Sequence, residues 1–301
     1  MLGGCSLVPS YSQPDVPLAL AWTGAQGGAE APASGGLWWK EFHSQELDGL
    51  IAKGLSENYT LKAAMSRIDE ARGLAQVAGA AQYPLLSLGG NVQRQDNYGT
   101  TAKRSVFADA TYEADFWGKS RAAADSSTAL ANASVFDAQT LRMTLGATIA
   151  TTYFQVLSLD DRLRLAQSIA DDAQQVLELV EVQASQGVVS NLEVEQQRNA
   201  LQTFQAAMPP LRQQRDQALY QLAVLVGVPP QGFQVNQTGL QDLAIPHPAM
   251  GLPIGLLRQR PDVQAAEARL KSANFDVGVA RAAFLPNISL DLMGGVDTLA
   301  G

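Results

Sequence analysis

The chain repeats itself: residues 61–88 and 263–290 align without a gap, in a register that sets Pro84 against Pro286. Ala64/Ala266, Arg67/Arg269, Ala71/Ala273 and Val77/Val279 are identical pairs, and both copies close on Ala-Ala-x-x-Pro-x-x-Ser-Leu. Alanine-rich helices coincide by chance, but a shared ending of this kind marks a duplication, so one fold must accommodate two equivalent pieces. In each copy the hydrophobic period changes at the proline. Leu61, Ala64, Ile68, Ala71, Ala75 and Ala78 recur every three or four positions, as on one face of a helix. After Pro84, Leu86, Leu88, Gly90 and Val92 alternate with Ser87, Gly89, Asn91 and Gln93. Proline lacks the amide hydrogen and pushes its predecessor toward extended geometry, so it suits a junction where a helix runs straight into a strand.

A second strand is written even more plainly. Ala108, Ala110, Tyr112, Ala114 and Phe116 alternate with Asp109, Thr111, Glu113 and Asp115, which puts an apolar set on one face and an acidic set on the other. Such a strand fits a half-buried antiparallel sheet facing water, and it also fits a barrel strand with lipid outside and a hydrated lumen inside. From Gly118 to Gln186 the chain then reads as helix almost without pause. A helix of that length would extend about 100 Å, more than a compact domain needs.

Ile169, Ala173, Val176, Val180 and Ala184 form its last apolar stripe, and Gly187 is placed to cap its C-terminus, with Ser190 or Asn191 as the next N-cap. The returning helix carries Leu201, Phe204, Met208, Leu211, Ala218, Leu222 and Leu225 at spacings of three and four, interrupted by Arg215. That is a heptad seam, and it predicts an antiparallel coiled-coil hairpin. Pro209-Pro210 should kink or break the second helix, and Gly227-Val228-Pro229-Pro230 should end it.

Composition removes several function classes. With 46% hydrophobic and 17% charged residues the chain is not disordered, and no run approaches the roughly eighteen apolar residues of a spanning helix. A net charge of −8 argues against nucleic acid as a partner. His43 and His247 have no metal-ligand neighbours at useful spacing and read as surface or structural residues, and no phosphate loop or nucleophile elbow is present, so no enzyme and no metal site is expected. Asp160-Asp161 and Asp171-Asp172 read as solvated helix faces.

Cys5 follows Leu2-Gly3-Gly4, which is similar to the end of a bacterial lipoprotein signal, where small residues precede an acylated cysteine. The basic and long apolar regions of such a signal are missing before it, so Met1 is expected to be a truncated or misassigned start. The Pro/Gly/Ala-rich stretch from Ser6 to Gly36 suits a tether leading away from a membrane anchor.

Four further segments resemble the outer membrane factors. They are Leu37-Trp38-Trp39, Tyr112-Glu113-Ala114-Asp115-Phe116-Trp117-Gly118-Lys119, Gly187-Val188-Val189-Ser190-Asn191-Leu192-Glu193-Val194, and Leu256-Leu257-Arg258-Gln259-Arg260-Pro261-Asp262-Val263. The branch they match is the TolC-like, NodT-type efflux lipoproteins of resistance-nodulation-division systems. The resemblance implies a mainly α fold with a membrane β part: long antiparallel helical hairpins in a periplasmic tunnel, and a 12-stranded barrel shared by a homotrimer. On that template residues 1–36 are lipobox remnant and tether, and 37–228 a first repeat of helix, two strands and hairpin. A linker follows over 229–260, and 261–301 start a second repeat. The expected elements are an ascending helix over about 41–83 and strands over about 85–95 and 105–116. The hairpin is expected over about 118–226, a second helix over about 261–285 and a third strand from Asn287. No fourth strand or second hairpin follows, so the sequence is expected to be a fragment of a longer gene product that closes no pore by itself.

The resemblance also implies the roles of residues. Leu86, Leu88, Val92, Ala110, Tyr112 and Phe116 would face lipid, whereas Asp109, Glu113 and Asp115 would face the lumen and bias it toward cations. Leu88 and Leu290 would share one facing, Ser87 and Ser289 the other. Gly187, Val188, Val189, Ser190, Asn191 and Leu192, at the hairpin tip, would contact a periplasmic adaptor protein, with an inner-membrane transporter of the resistance-nodulation-division class beyond it. The covalent lipid on Cys5 would be the only prosthetic group, and the protein would lie in the outer membrane of a Gram-negative cell. The second reading is a periplasmic coiled-coil adaptor lipoprotein, which also combines a lipidated cysteine with a long hairpin.

Overall fold

A computed structural model describes residues 6–15, 37–96, 100–237, 239–246 and 259–300. Its elements follow the repeat. Helices α2, Tyr59–Ala80, and α6, Pro261–Ala282, begin and end at positions that the internal alignment makes equivalent. Both close with tightened final turns: the amide of Tyr83 donates to Ala80 O at 3.0 Å, and that of Leu285 to Ala282 O at 3.0 Å. Beyond Pro84 and Pro286 the chain enters strands β1, Leu85–Asp96, and β3, Ser289–Ala300. Strand β2, Thr100–Glu113, lies between them, and all neighbours are antiparallel.

The long helix α3 runs over Lys119–Ser185, 67 residues, and is followed by α4, Asn191–Ala206, and α5, Met208–Val226. Pro209-Pro210 falls in the first turn of α5, so the expected break is realised at Ala207. The first ascending helix is interrupted where one helix was expected: a short 3-10 turn, Trp38–Phe42, precedes α1, Gln45–Glu57, and Asn58 separates α1 from α2. Asn58 is buried with an extended backbone; its side-chain oxygen accepts from Leu61 N at 3.1 Å and its amide donates to Leu225 O at 2.9 Å. A short polar side chain that caps the start of α2 and bonds a carbonyl in the last turn of α5 makes the break stable.

The chain divides into two compact units, through both of which α2 and α3 run. One comprises Ala21–Ala63 and Thr140–Leu252. Its core joins Leu47, Ile51, Ile149, Tyr153, Leu157, Leu222 and Val226, each fully buried. Each such aliphatic side chain contributes about 1.5–3 kcal/mol relative to exposure. Further along α3, Leu177 packs with Val194 and Leu201, flanked by Ala173, Val180 and Ala184. The observed seam therefore runs through Leu177 where Val176 was expected. Ile169 and Val176 are 41% and 45% exposed, because the 3-4 spacing that contains buried Ala170 is Ala170, Ala173, Leu177, Val180, Ala184. On the return, Phe204 is also exposed, although Leu201 one turn earlier in α4 is buried.

The other unit comprises Met1–Leu20, Ala64–Gln139 and Pro253–Gly301. It holds the sheet, the helix–strand junctions and an N-terminal strap. Trp117 Nε1 donates to Pro286 O at 2.9 Å, tying the end of β2 to the second junction.

Candidate functional site

Residues directly opposed in an antiparallel sheet project to the same face. One face of this sheet therefore carries the rows Tyr112–Leu290, Leu86–Ala110–Leu292, Leu88–Ala108–Gly294 and Gly90–Val106–Val296. The opposite face carries Glu113–Ser289, Leu85–Thr111–Asp291, Ser87–Asp109–Met293 and Asn91–Ser105–Asp297. Leu88 and Leu290 thus share one face and Ser87 and Ser289 the other, as the repeat requires. Asp109 and Glu113 stand on the polar face, where Ser87 Oγ donates to the Asp109 carboxylate and Lys103 pairs with Asp297 at 3.0 Å. The apolar face is bare: Leu86, Leu88 and Leu292 are 76%, 80% and 74% exposed. A contiguous apolar sheet face of this kind marks an interaction surface or lipid.

Three residues of the expected strand, Ala114, Asp115 and Phe116, do not belong to it. β2 ends at Glu113, so Asp115 is not on the polar face of the sheet and Phe116 is not on the apolar one. The Asp115 carboxylate instead accepts from the amide of Arg121 at 2.9 Å, satisfying one of the free donors in the first turn of α3. The alternation does not reach back to Phe107 either. This ring lies on the polar face across Gly89 and Gly295; a Cβ on Gly89 would stand 2.5 Å from it.

Register adds a fact invisible in the sequence. Leu88 and Leu290 are equivalent in the repeat, yet Leu88 is opposite Ala108 and Leu290 opposite Tyr112. The two copies are staggered along β2, and stagger of this kind is what strand tilt in a closed barrel demands.

At the far end of α3 the turn is built as its residues dictate. Gly187 has φ 73°, and Val188 N donates to Gln183 O at 3.0 Å across the last turn. Ser190 caps α4: the Glu193 carboxylate accepts from its backbone amide at 2.6 Å and from its hydroxyl at 2.9 Å. Those bonds, the backbone one first, hold the Glu193 carboxyl below its ordinary value. Val188 and Leu192 are left 68% and 67% exposed, while Val189 is half-buried.

Cys5 and His247 lie outside the described residues, as does the Leu256–Arg258 part of the last motif. The strap that follows Cys5 is described and lies on α6. Arg281 donates to Leu7 O at 3.5 Å, Val8 packs against Gly278, Asn274 donates to Pro9 O at 2.9 Å, and Lys271 covers the Tyr11 ring. Read from Tyr11 back to Leu7, the strap runs toward the Pro286 junction.

Several ordering residues were not read from the sequence. Glu46 accepts from the amide of Asn236 at 2.7 Å, the amide of Gln237 at 3.0 Å and the Tyr153 hydroxyl at 3.2 Å. Burial, chiefly, pushes the Tyr153 hydroxyl up to about 12, so it remains a donor. Asp160 and Asp161 are not merely solvated: Asp160 pairs with Arg215 at 3.0 Å, and Asp161 accepts from Leu240 N at 3.0 Å and from Arg164. The signal for the first of these was present, since Arg215 interrupts the heptad seam and an interrupted seam calls for a partner.

Residues 50–228 and 252–300 match the outer membrane efflux protein family. Pyoverdine export outer membrane protein OpmQ of Pseudomonas putida is 38% identical over 279 residues, covering 87% of this chain and 59% of its own length. The OpmQ of Pseudomonas aeruginosa is 36% identical, covering 96% of this chain and 64% of its own length. The chain thus spans less than two thirds of these relatives. Among solved structures, the outer-membrane channel OprN superposes with a TM-score of 0.85 at 25% identity, over 98% of this chain and 73% of OprN. CusC superposes with a TM-score of 0.81 at 28% identity, over 98% of this chain and 68% of CusC.

Proposed function

The chain belongs to the outer membrane efflux protein family and has the TolC-like fold, and on that premise we propose that it forms part of the outer membrane channel of a tripartite efflux pump. Passive conduction is its role: small molecules cross the periplasm and outer membrane through it, with energy and selection supplied by partners. The observation that carries this reading is the sheet, bare and apolar on one face and acidic on the other, at the ends of two equivalent helices. A periplasmic adaptor, the second reading of the sequence, is set aside because the family matched is that of the channels.

β1 and β3 each leave one strand edge unpaired among the described residues, and only a closed barrel can carry such edges in lipid. Closure by a homotrimer with four strands from each subunit meets that need. Leu165, Ile169, Val176 and Leu179 are exposed on α3 outside the hairpin seam, and suit packing against a neighbouring hairpin. Asp109 and Glu113 would then line the lumen and favour cations, read as a reversal potential across a salt gradient.

The hairpin tip is proposed as the contact with a periplasmic adaptor, which in turn engages an inner-membrane transporter of the resistance-nodulation-division class. Val188 and Leu192 support it, since exposed aliphatic residues at a capped turn have no structural use there. Val189→Asp is expected to weaken crosslinking to the adaptor and reduce export, with trimer assembly intact. Unchanged crosslinking in an assembled trimer would move the contact elsewhere.

Cys5 is proposed to carry the lipid anchor. The strap supports this, because its direction along α6 leads toward the end of the helices where the strands begin. At least two acyl chains suffice for stable anchoring. Labelling with a clickable palmitate analogue should mark the wild type and leave Cys5→Ser unmarked; equal labelling of both would refute the assignment.

A further inference from the structure

Above its four apolar rows, the bare face of the sheet changes character. The next rows are Val92–Arg104–Thr298 and Arg94–Ala102–Ala300, so two guanidinium groups stand as diagonal neighbours on the face that is otherwise apolar. Both side chains are exposed, and among the described residues neither has an ion-pair partner. The contrast with the polar face is direct: Lys103, adjacent to Arg104 in sequence, finds Asp297 at 3.0 Å. On the apolar face the carboxylate in register is Asp96, opposite Thr100 and one row beyond Arg94, and its side chain lies outside the described residues.

Height decides what these two cations meet. Arg104 is eight residues along β2 from Tyr112, the aromatic residue of the lowest row. At about 3.4 Å per residue and a strand tilt of about 40°, that separation is about 20 Å along the membrane normal. An outward apolar band is about 25 Å tall, with an aromatic girdle at its edge. Tyr112 thus sits at the inner boundary, and Arg94 and Arg104 sit at the outer one, within snorkelling reach of the headgroups.

We propose, resting on the channel reading above, that Arg94 and Arg104 form a seat for the phosphate-bearing headgroup of a lipid in the outer leaflet. A guanidinium offers a planar fork of donors that matches phosphate geometry, and two forks side by side hold one phosphate from two directions. Val92 beside Arg104, and Val106 and Val296 in the row beneath, continue the seat as a track for acyl chains, which a free phosphate would not use. This continuity selects the lipid over the soluble ion.

The test uses the full-length channel, extracted and reconstituted in phosphatidylcholine nanodiscs containing bisphosphorylated lipid A. Native mass spectrometry is expected to show lipid A retained by the wild type and reduced about tenfold or more in Arg94→Gln/Arg104→Gln, consistent with the loss of charge-assisted bonds. Dephosphorylated lipid A should not be retained by either. Equal retention in wild type and variant overturns the seat, and displacement of lipid A by millimolar inorganic phosphate overturns its assignment to a lipid. Should the double variant fail to assemble, Arg104→Gln alone is read in its place. Fractionation keeps the two readings apart: a wild-type protein that does not partition with the outer membrane refutes the channel itself, whereas one that does, without lipid A, refutes only the seat.

Discussion

Arginine in place of Val106 is expected to abolish most assembled channel, whereas arginine in place of its neighbour Ser105 is not. The two residues are adjacent in β2, and the register puts Val106 in the row Gly90–Val106–Val296 and Ser105 in the row Asn91–Ser105–Asp297. Val106 stands in the uppermost of the four apolar rows, about 16 Å above Tyr112 and so about 3 Å from the centre of a band of about 25 Å, where a lipid-facing arginine costs about 2–4 kcal/mol in an outer membrane barrel. That is a factor of about 30 or more in the assembly equilibrium. Ser105→Arg projects beside Asp297 on the hydrated face, so it should assemble and lower the preference for cations. Depth adds a second check. Leu290 is on the same face as Val106 but in the lowest row, beside Tyr112, so Leu290→Arg should be milder than Val106→Arg while Ser289→Arg assembles normally. Trimer yield on mild gels and reversal potentials in planar bilayers read all four variants. If the Ser105 variant fails and the Val106 variant assembles, the facing is inverted, and the barrel reading fails with it.

The duplication carried most of the fold into view because it is written in two periods at once. Three-four spacing before Pro84 and two-residue spacing after it describe a helix and a strand whatever the tertiary context, and the second copy repeats the statement. Interruptions were harder to read. Asn58 ends a helix because its side chain meets Leu225, far along the chain, and no local pattern announces that meeting. Asp115 looks like the last acidic residue of an alternating strand, but its carboxylate is taken by the amide of Arg121, and a cap outweighs further alternation. The stripe on α3 was misplaced by one residue because Val176 and Leu177 are both apolar, and only the partners Val194 and Leu201 decide which is buried. At the candidate site the facing of Asp109 and Glu113 was legible from alternation alone. The stagger between Leu88 and Leu290, and the pairing of Arg94 with Arg104 on one face, depend on register and so required the sheet.

Two glycines in the same backbone conformation separate strain from crowding. Gly187 and Gly227 both end helices in the left-handed region, with φ 73° and 79°. Any residue with a Cβ meets strain of about 1–2 kcal/mol there, least for asparagine. Around Gly187 nothing lies within 4 Å of an added Cβ, whereas at Gly227 that atom would come to 2.9 Å from Glu57 O and 3.0 Å from Glu57 C. The obstacle is backbone at the end of α1, held by the Asn58 bond to Leu225 O, so it cannot swing aside as a side chain would. Forcing it away costs a further 1–3 kcal/mol or so, the usual range for overpacking. Gly227→Ala is therefore expected to destabilise by about 2–5 kcal/mol and Gly187→Ala by about 1–2 kcal/mol. Asparagine sharpens the comparison, since it relieves the backbone strain and not the contact. Gly187→Asn should be close to wild type, while Gly227→Asn keeps most of its penalty. Thermal melting of the detergent-solubilised protein, followed by circular dichroism at the helix band, measures all four. If Gly227→Asn melts with the wild type, the C-terminus of α5 has room to move away from α1, and the close approach at Gly227 is not what fixes the two helices together.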